Sequence, residues 1–195
     1  MFKTKHREYK QKHFNSLINI NGEELKINSS EQLGVYPKII ERYIEQLDIC
    51  IDRFKRVFVL RFDLHADEYK PDNKRMEDFI RRQKRRIQRS YNTKDIGHSW
   101  VREVSSAKKL HYHGSFFIDG KKIQHQEKLL AQIRAKWKHG HVPYFENMYY
   151  YIDTYKDNWQ KVRTDVIERL SYLAKTRTKG YRNPQTKCYS ASRLK

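Results

Sequence analysis

The stretch "KKLHYHGSFF", residues 108–117, decides how the rest of the chain is read. Side chains alternate across a β-strand, so as a strand it puts His111 and His113 on one face and Tyr112 on the other. Extended to "KLHYHGSFFI", it follows "HSWVREV" after a connection short enough for an antiparallel pair. A register centred on Ala107 sets Glu103 opposite His111 on the same face. A slip of one residue would undo this. In that register two imidazoles and a carboxylate converge, a set that suits Mg2+ or Mn2+ engaged with a phosphate. The ligand types by themselves also admit zinc. Two surface histidines on an edge strand would give the same pattern without a metal.

Periodicity on either side gives an α+β chain without internal repeats. "SLININGEELKI" reads as a hairpin turning at Asn21-Gly22, where glycine tolerates the positive φ of a tight turn. Ile39, Ile40, Tyr43, Ile44, Leu47 and Ile51 recur at helical spacing. "RVFVLRFDLH" is a strand with Phe58, Leu60, Phe62 and Leu64 on its apolar face and Arg61, Asp63 and His65 on the other. A helix from Asn73 to Tyr91 buries Met76, Phe79, Ile80 and Ile87, and its remaining surface is crowded with arginine and lysine. "HQEKLLAQIRAKWKH" reads as a helix, "MYYYIDTY" as a strand, and "WQKVRTDVIERLSYLAK" as the last helix. "KHGHVP", with His139 and His141, reads as a helix terminus, because Gly140 and Pro143 stop a helix and no strand alternation surrounds it. The expected organisation is a single domain over 1–195, with a hairpin and extension over 1–34 and a basic, irregular tail over 177–195.

Composition narrows the partner. The 195 residues carry 42 Lys plus Arg against 23 Asp plus Glu, a net charge of +19. Such a surplus repels itself unless an anion is near, so nucleic acid or an acidic membrane surface is the natural partner. No apolar stretch is long enough to span a bilayer and the first residues do not resemble a secretory signal, so a cytoplasmic location and no membrane partner are expected. The two cysteines, Cys50 and Cys188, lack the clustering of a thiolate site. A metal in this chain must therefore use histidine and carboxylate.

A phosphate held by a metal needs a nucleophile. In "LSYLAKTRTK", Val162, Val166, Leu170 and Leu173 form the apolar stripe, while Tyr172 falls with Glu168, Lys175 and Lys179 on the other side. Lys175 lies one turn on from Tyr172, close enough to touch the same ligand. A partly exposed tyrosine on a solvated face is the plainer alternative.

Taken together, "HYHGSFF", the preceding "WVRE" and the later "YLAK" resemble the HUH endonuclease superfamily, where His-hydrophobe-His is followed by Tyr-x-x-Lys. The tyrosine follows the histidines, as in rolling-circle replication initiators. The longer phrases "VFVLRFDLH", "HYHGSFFIDG" and "LSYLAKTRTK" are similar to inovirus and prophage replication proteins of the YagK/YfjJ-like kind. The resemblance implies an antiparallel sheet flanked by helices, of ferredoxin- or RRM-like topology. It also implies a divalent metal, Mg2+ or Mn2+, on His111, His113 and Glu103, with Asp63 the rival third ligand. Tyr172 becomes the nucleophile that nicks and rejoins single-stranded or hairpin DNA through a 5′-phosphotyrosine, and Lys175 the motif lysine. Arg61, Arg81, Arg82, Arg85, Arg86, Arg89 and Lys179 are the expected DNA contacts. The expected role is initiation of rolling-circle replication of a phage or prophage element, by a monomer, with a host helicase or polymerase as further partners. A DNA-binding replication regulator that keeps the fold without nicking is the alternative.

Overall fold

The computed structural model describes residues 11–105, 107–177, 179 and 186–195. Much of the expected extension before the hairpin, residues 1–10, lies outside them. The elements are β1 (Leu17–Ile20), β2 (Glu23–Lys26), α1 (Pro37–Phe54), β3 (Arg56–Ala66), α2 (Lys74–Tyr91), β4 (Gly97–Val104), β5 (Leu110–Asp119), α3 (Glu127–Lys136), β6 (Tyr149–Asp153), α4 (Trp159–Ser171) and β7 (Tyr189–Ala191). β1 and β2 form a separate hairpin, and the other strands make one antiparallel sheet in the order β6-β3-β5-β4-β7. The run β3-α2-β4-β5-α3-β6 is the βαββαβ unit of ferredoxin-like sheets, with β7 added at one edge.

Local chemistry accounts for the main boundaries. Asn21 and Gly22 have φ of 55° and 87°, the paired positive values a two-residue hairpin turn needs. Pro37 opens α1, where its missing N–H costs nothing, and Lys55 closes it in the left-handed conformation with φ of 62°. β3 then alternates between two cores. Its even residues, Phe58, Leu60, Phe62 and Leu64, pack with α2 and α3 on one side of the sheet. Val57 and Val59 pack with α1 and α4 on the other. Gly114 of β5 stands opposite Phe62, and a Cβ there would sit 2.4 Å from the Phe62 Cζ. The glycine of the "HYHG" motif is thus the space that lets Phe62 lie across the sheet.

Three local expectations change. α4 ends at Ser171, and Tyr172–Ala174 form a 3-10 turn instead of continuing the helix through Lys175. The cause is tertiary: the segment before α1 captures the chain, with Tyr36 N–H donating to Ala174 O at 3.0 Å and Thr176 N–H to Gly34 O at 2.9 Å. α3 stops at Lys136, because Trp137 turns extended and its indole N–H donates to His65 O at 2.9 Å. The tail is not wholly irregular, since Tyr189–Ala191 pair with Ser99–Val101 as β7. Among the described residues no helix is long and apolar enough to cross a membrane.

Two outcomes follow from this packing. Gly114→Ala should lower unfolding stability in urea by about 1–3 kcal/mol, the usual cost of overpacking a dense core. The His98 ring of β4 is pushed to about 3, mainly by burial and further by Lys84. The unfolded chain therefore takes the proton first as pH falls, so stability is full above the ordinary imidazole value of about 6.5 and declines toward acid. His98→Asn should flatten the loss between about pH 6.5 and 5, measured as denaturation midpoints across that window.

Candidate active site

The sheet face that carries Val57 and Val59 is apolar only along half its length. There α1 and α4 cover it, together with Val101 of β4 and Phe117 of β5. Farther along the same face the alternation delivers Arg61, Asp63 and His65 from β3, Glu103 from β4, and His111 and His113 from β5. The register sets Asp63 opposite His113, His65 opposite His111, and Glu103 opposite His111. The pairing of Glu103 with His111 is the one expected from a turn centred on Ala107. Glu103 and Asp63, rivals as third acid, both reach the same imidazole.

His113 is held between them. Its Nδ1 lies 2.8 Å from Asp63 Oδ1, as an ion-pair contact without hydrogen-bond alignment, and its Nε2 lies 3.4 Å from Glu103 Oε2. Arg61 approaches the other Asp63 oxygen at 3.3 Å, and Lys179 Nζ donates to Glu103 Oε1 at 2.8 Å. Burial alone would lower the His113 pKa, but the two carboxylates outweigh it and raise it to about 9. Burial likewise favours neutral carboxyls, and here the imidazolium, with Arg61 for Asp63 and Lys179 for Glu103, holds both well below their ordinary range. Charges alternate along the row, as they must where water is excluded.

The histidines beyond His113 form a stack. The His65 and His111 rings lie 4.0 Å apart and nearly parallel, with His141 edge-on to His65 at 4.4 Å. Burial, then the neighbouring His111 and His141, pushes His65 down to about 4. His141 comes from "KHGHVP", which is a strand-like partner of β3 and not merely a helix terminus. His65 and His141 exchange backbone hydrogen bonds of 2.9 and 3.2 Å, and Asp67 N–H donates to His139 O at 2.8 Å. Gly140 permits this: its φ is +147° and a Cβ would fall 2.0 Å from His65 O. β3 alternation already placed His65 beside Asp63, whereas His141 had no sequence signal, because its place depends on a pairing between distant segments.

Tyr172 stands at the rim, 41% exposed on the 3-10 turn. Lys175 Nζ lies 4.0 Å from its ring centroid and Arg61 Cζ 5.6 Å from it. Two expected DNA contacts are placed differently from an open surface. Lys179 is 4% exposed and bound to Glu103 and to Lys175 O, so it serves the interior. Arg61 is also buried. The arginines of α2 lie behind the sheet: Met76, Phe79, Ile80, Gln83 and Ile87 face the core, leaving Arg81, Arg82, Arg85, Arg86 and Arg89 directed away from the face that carries His113. Arg81 is paired with Asp78 at 2.5 Å.

The donor types suit a divalent cation, yet among the described residues no three His, Cys, Asp or Glu side chains are arranged to hold one. His113, central to the expected set of His111, His113 and Glu103, has each ring nitrogen facing a carboxylate. As arranged, these residues do not fit the ion, and the expected convergence on a single ion is not seen.

No curated protein matches the chain. Among solved structures, the N-terminal nuclease domain of minute virus of mice non-structural protein-1 is similar at a TM-score of 0.26 and 9% identity, over 95% of this chain and 74% of that one. Its description names Zn2+ coordination in the active-site pocket and DNA recognition at the origin of replication, and a likeness this weak carries no argument for the present chain. Residues 19–192, from the hairpin to the end of β7, match the family described as YagK/YfjJ C-terminal domain, and the chain belongs to that family.

Proposed function

We propose that this chain nicks and rejoins single-stranded DNA through a covalent bond to Tyr172, initiating rolling-circle replication of a phage or prophage element. The observation that carries the reading is the setting of Tyr172: half-exposed at the rim of a buried charged cluster, with Lys175 and Arg61 beside its ring. The net charge of +19 supports a nucleic-acid substrate.

In the proposed step the Tyr172 oxygen forms a bond to phosphorus as the bond from phosphorus to the 3′ oxygen breaks. The phenol loses a proton and the departing 3′ oxygen gains one. The products are a 5′-phosphotyrosine and a free 3′-hydroxyl, and the retained phosphoester lets the reverse attack rejoin the strand. Cations already in place around the phenol favour the negative charge that develops on its oxygen and on the phosphate. Lys175 and Arg61 supply them. Asp63 fixes Arg61, and His113 fixes Asp63, so the buried row orients the groups that meet substrate.

One observation favours a second reading, a DNA-binding regulator without nicking. His113 is engaged by both carboxylates, which leaves the expected ligand set closed. Tyr172→Phe separates the two readings, because it removes one hydroxyl and leaves the ring. Incubated with single-stranded DNA of the encoding element, Mg2+ and Mn2+, the native protein should form an adduct that peptide mass maps to Tyr172. The variant should form none while binding DNA within about twofold of native. An adduct that persists in the variant moves the nucleophile to another tyrosine. Tight DNA binding by the native protein without adduct on any such substrate establishes the regulator.

The arginines behind the sheet make a separate expectation. Changing Arg82, Arg85 and Arg86 together to Gln should reduce the slope of log affinity against log salt by about 2 if each touches a single-strand phosphate. An unchanged slope in a salt titration marks that helix face as merely solvated.

A further inference from the structure

Two buried guanidinium N–H groups flank one aromatic ring beside Tyr172, and neither has an acceptor among the described residues. Arg61, on β3, is 6% exposed, and its Nε has no hydrogen-bond partner among the described residues. Arg169, on α4, likewise has a buried Nε without a partner, while its Nη2 donates to the Glu146 carbonyl oxygen at 3.3 Å. Both groups lie against Phe145, with Cζ atoms 4.7 and 5.7 Å from the ring centroid. Charge around them is unbalanced. Asp63 contacts Arg61 but is shared with His113, and Glu168, next to Arg169 in the chain, turns to Lys26 at 3.1 Å.

Buried donors without acceptors are costly and rare, so they call for a ligand that supplies what the protein does not. A phosphodiester offers one negative charge and two free oxygens, the complement of a pair of guanidinium forks. Phe145 meanwhile keeps water from one side of both groups.

We propose that Arg61 and Arg169 form a phosphodiester subsite that holds a backbone phosphate of single-stranded DNA against the Phe145 ledge, beside Tyr172. The identity of the ligand rests on the DNA-processing reading above, but the subsite itself needs neither a metal nor covalent chemistry. It adds Arg169, which no motif singled out, and it gives buried Arg61 a role that an open charged surface does not. The arch between α3 and β6 that carries Phe145 is pinned at both ends to β3, by His141 at His65 and by Met148 O accepting from Arg61 N–H at 2.7 Å. The ledge is therefore held in place before any strand arrives.

The test is fluorescence anisotropy of a fluorescein-labelled single-stranded thymidine oligonucleotide, in EDTA, across a NaCl series. Arg169→Gln should weaken binding about tenfold, the size of one charge-assisted contact. It should also reduce the salt slope by about 0.7, the share of one phosphate in a single strand. Arg169→Lys should recover the slope and only part of the affinity, since a point charge replaces a fork. Arg169 as a whole is only partly buried, and a native melting temperature in Arg169→Gln excludes misfolding; Arg61→Gln is a supporting variant. Unchanged affinity and slope in Arg169→Gln overturn the subsite, and so does native protein that fails to bind the oligonucleotide in EDTA. The covalent adduct is scored separately. Weakened Arg169→Gln binding with no native adduct keeps the subsite and removes nicking, whereas a native adduct with unaffected Arg169→Gln binding does the reverse.

Discussion

The row Arg61, Asp63, His113, Glu103 and Lys179 is the constraint on which the functional end of the molecule depends. It alternates cation and anion across β3, β5 and β4 and on to the chain beyond α4. Each member is largely withdrawn from water, so each needs its neighbours to remain charged. Removing one partner from such a row leaves an uncompensated buried charge, which typically costs about 3–5 kcal/mol. The row is therefore a clamp on strand register as well as a site. A one-residue slip of β5 would turn His113 to the apolar side, where Phe62 and Trp100 fill the space.

The sheet divides its work by face. The side packed by α2 and α3 is mostly apolar, with Phe58, Leu60, Phe62, Tyr112, Phe116 and Trp100 in one continuous core, and its buried charge, Arg102, donates to the Tyr112 hydroxyl at 2.9 Å. The other side is apolar only under α1 and α4, and becomes polar where those helices cease to cover it. A charged cluster can persist there because the rigid double-packed sheet beneath holds its backbone, an arrangement that suits chemistry requiring fixed geometry. The same division separates the strongest basic helix from the cluster. Charge carried by α2 is behind the sheet, so a nucleic acid that touches both must pass around an edge.

Tyr172 shows how a tertiary contact changes the character of a residue. Within a continued helix its position would follow the wheel. Capture of the chain by residues 34–36 instead ends α4 one residue before it and tightens the backbone into a 3-10 turn. The ring then lies under Lys175 and near Arg61, one cation from its own turn and one from the middle strand. Phe145, from the arch between α3 and β6, meets the same Arg61.

Much of this was legible in the sequence because it depends on local periodicity. Alternation put Asp63 and His65 on one side of "RVFVLRFDLH" and His111 and His113 on one side of "LHYHG", and the short connection through Ala107 brought Glu103 opposite His111, whereas the pairing of β3 with β5 that joins the two sets came only with the tertiary structure. Turn glycine, helix stripes and the order of elements followed from the same short-range rules. Tertiary structure alone decided what those residues do to one another. That Lys179 is buried against Glu103, that His141 stacks on His65, and that Arg169 joins Arg61 at Phe145 all arise between segments far apart in the chain. Periodicity reports which way a side chain faces. Whether a charge that faces inward meets water, a carboxylate or another cation depends on which distant segment packs against it, and that partner sets its burial and its pKa.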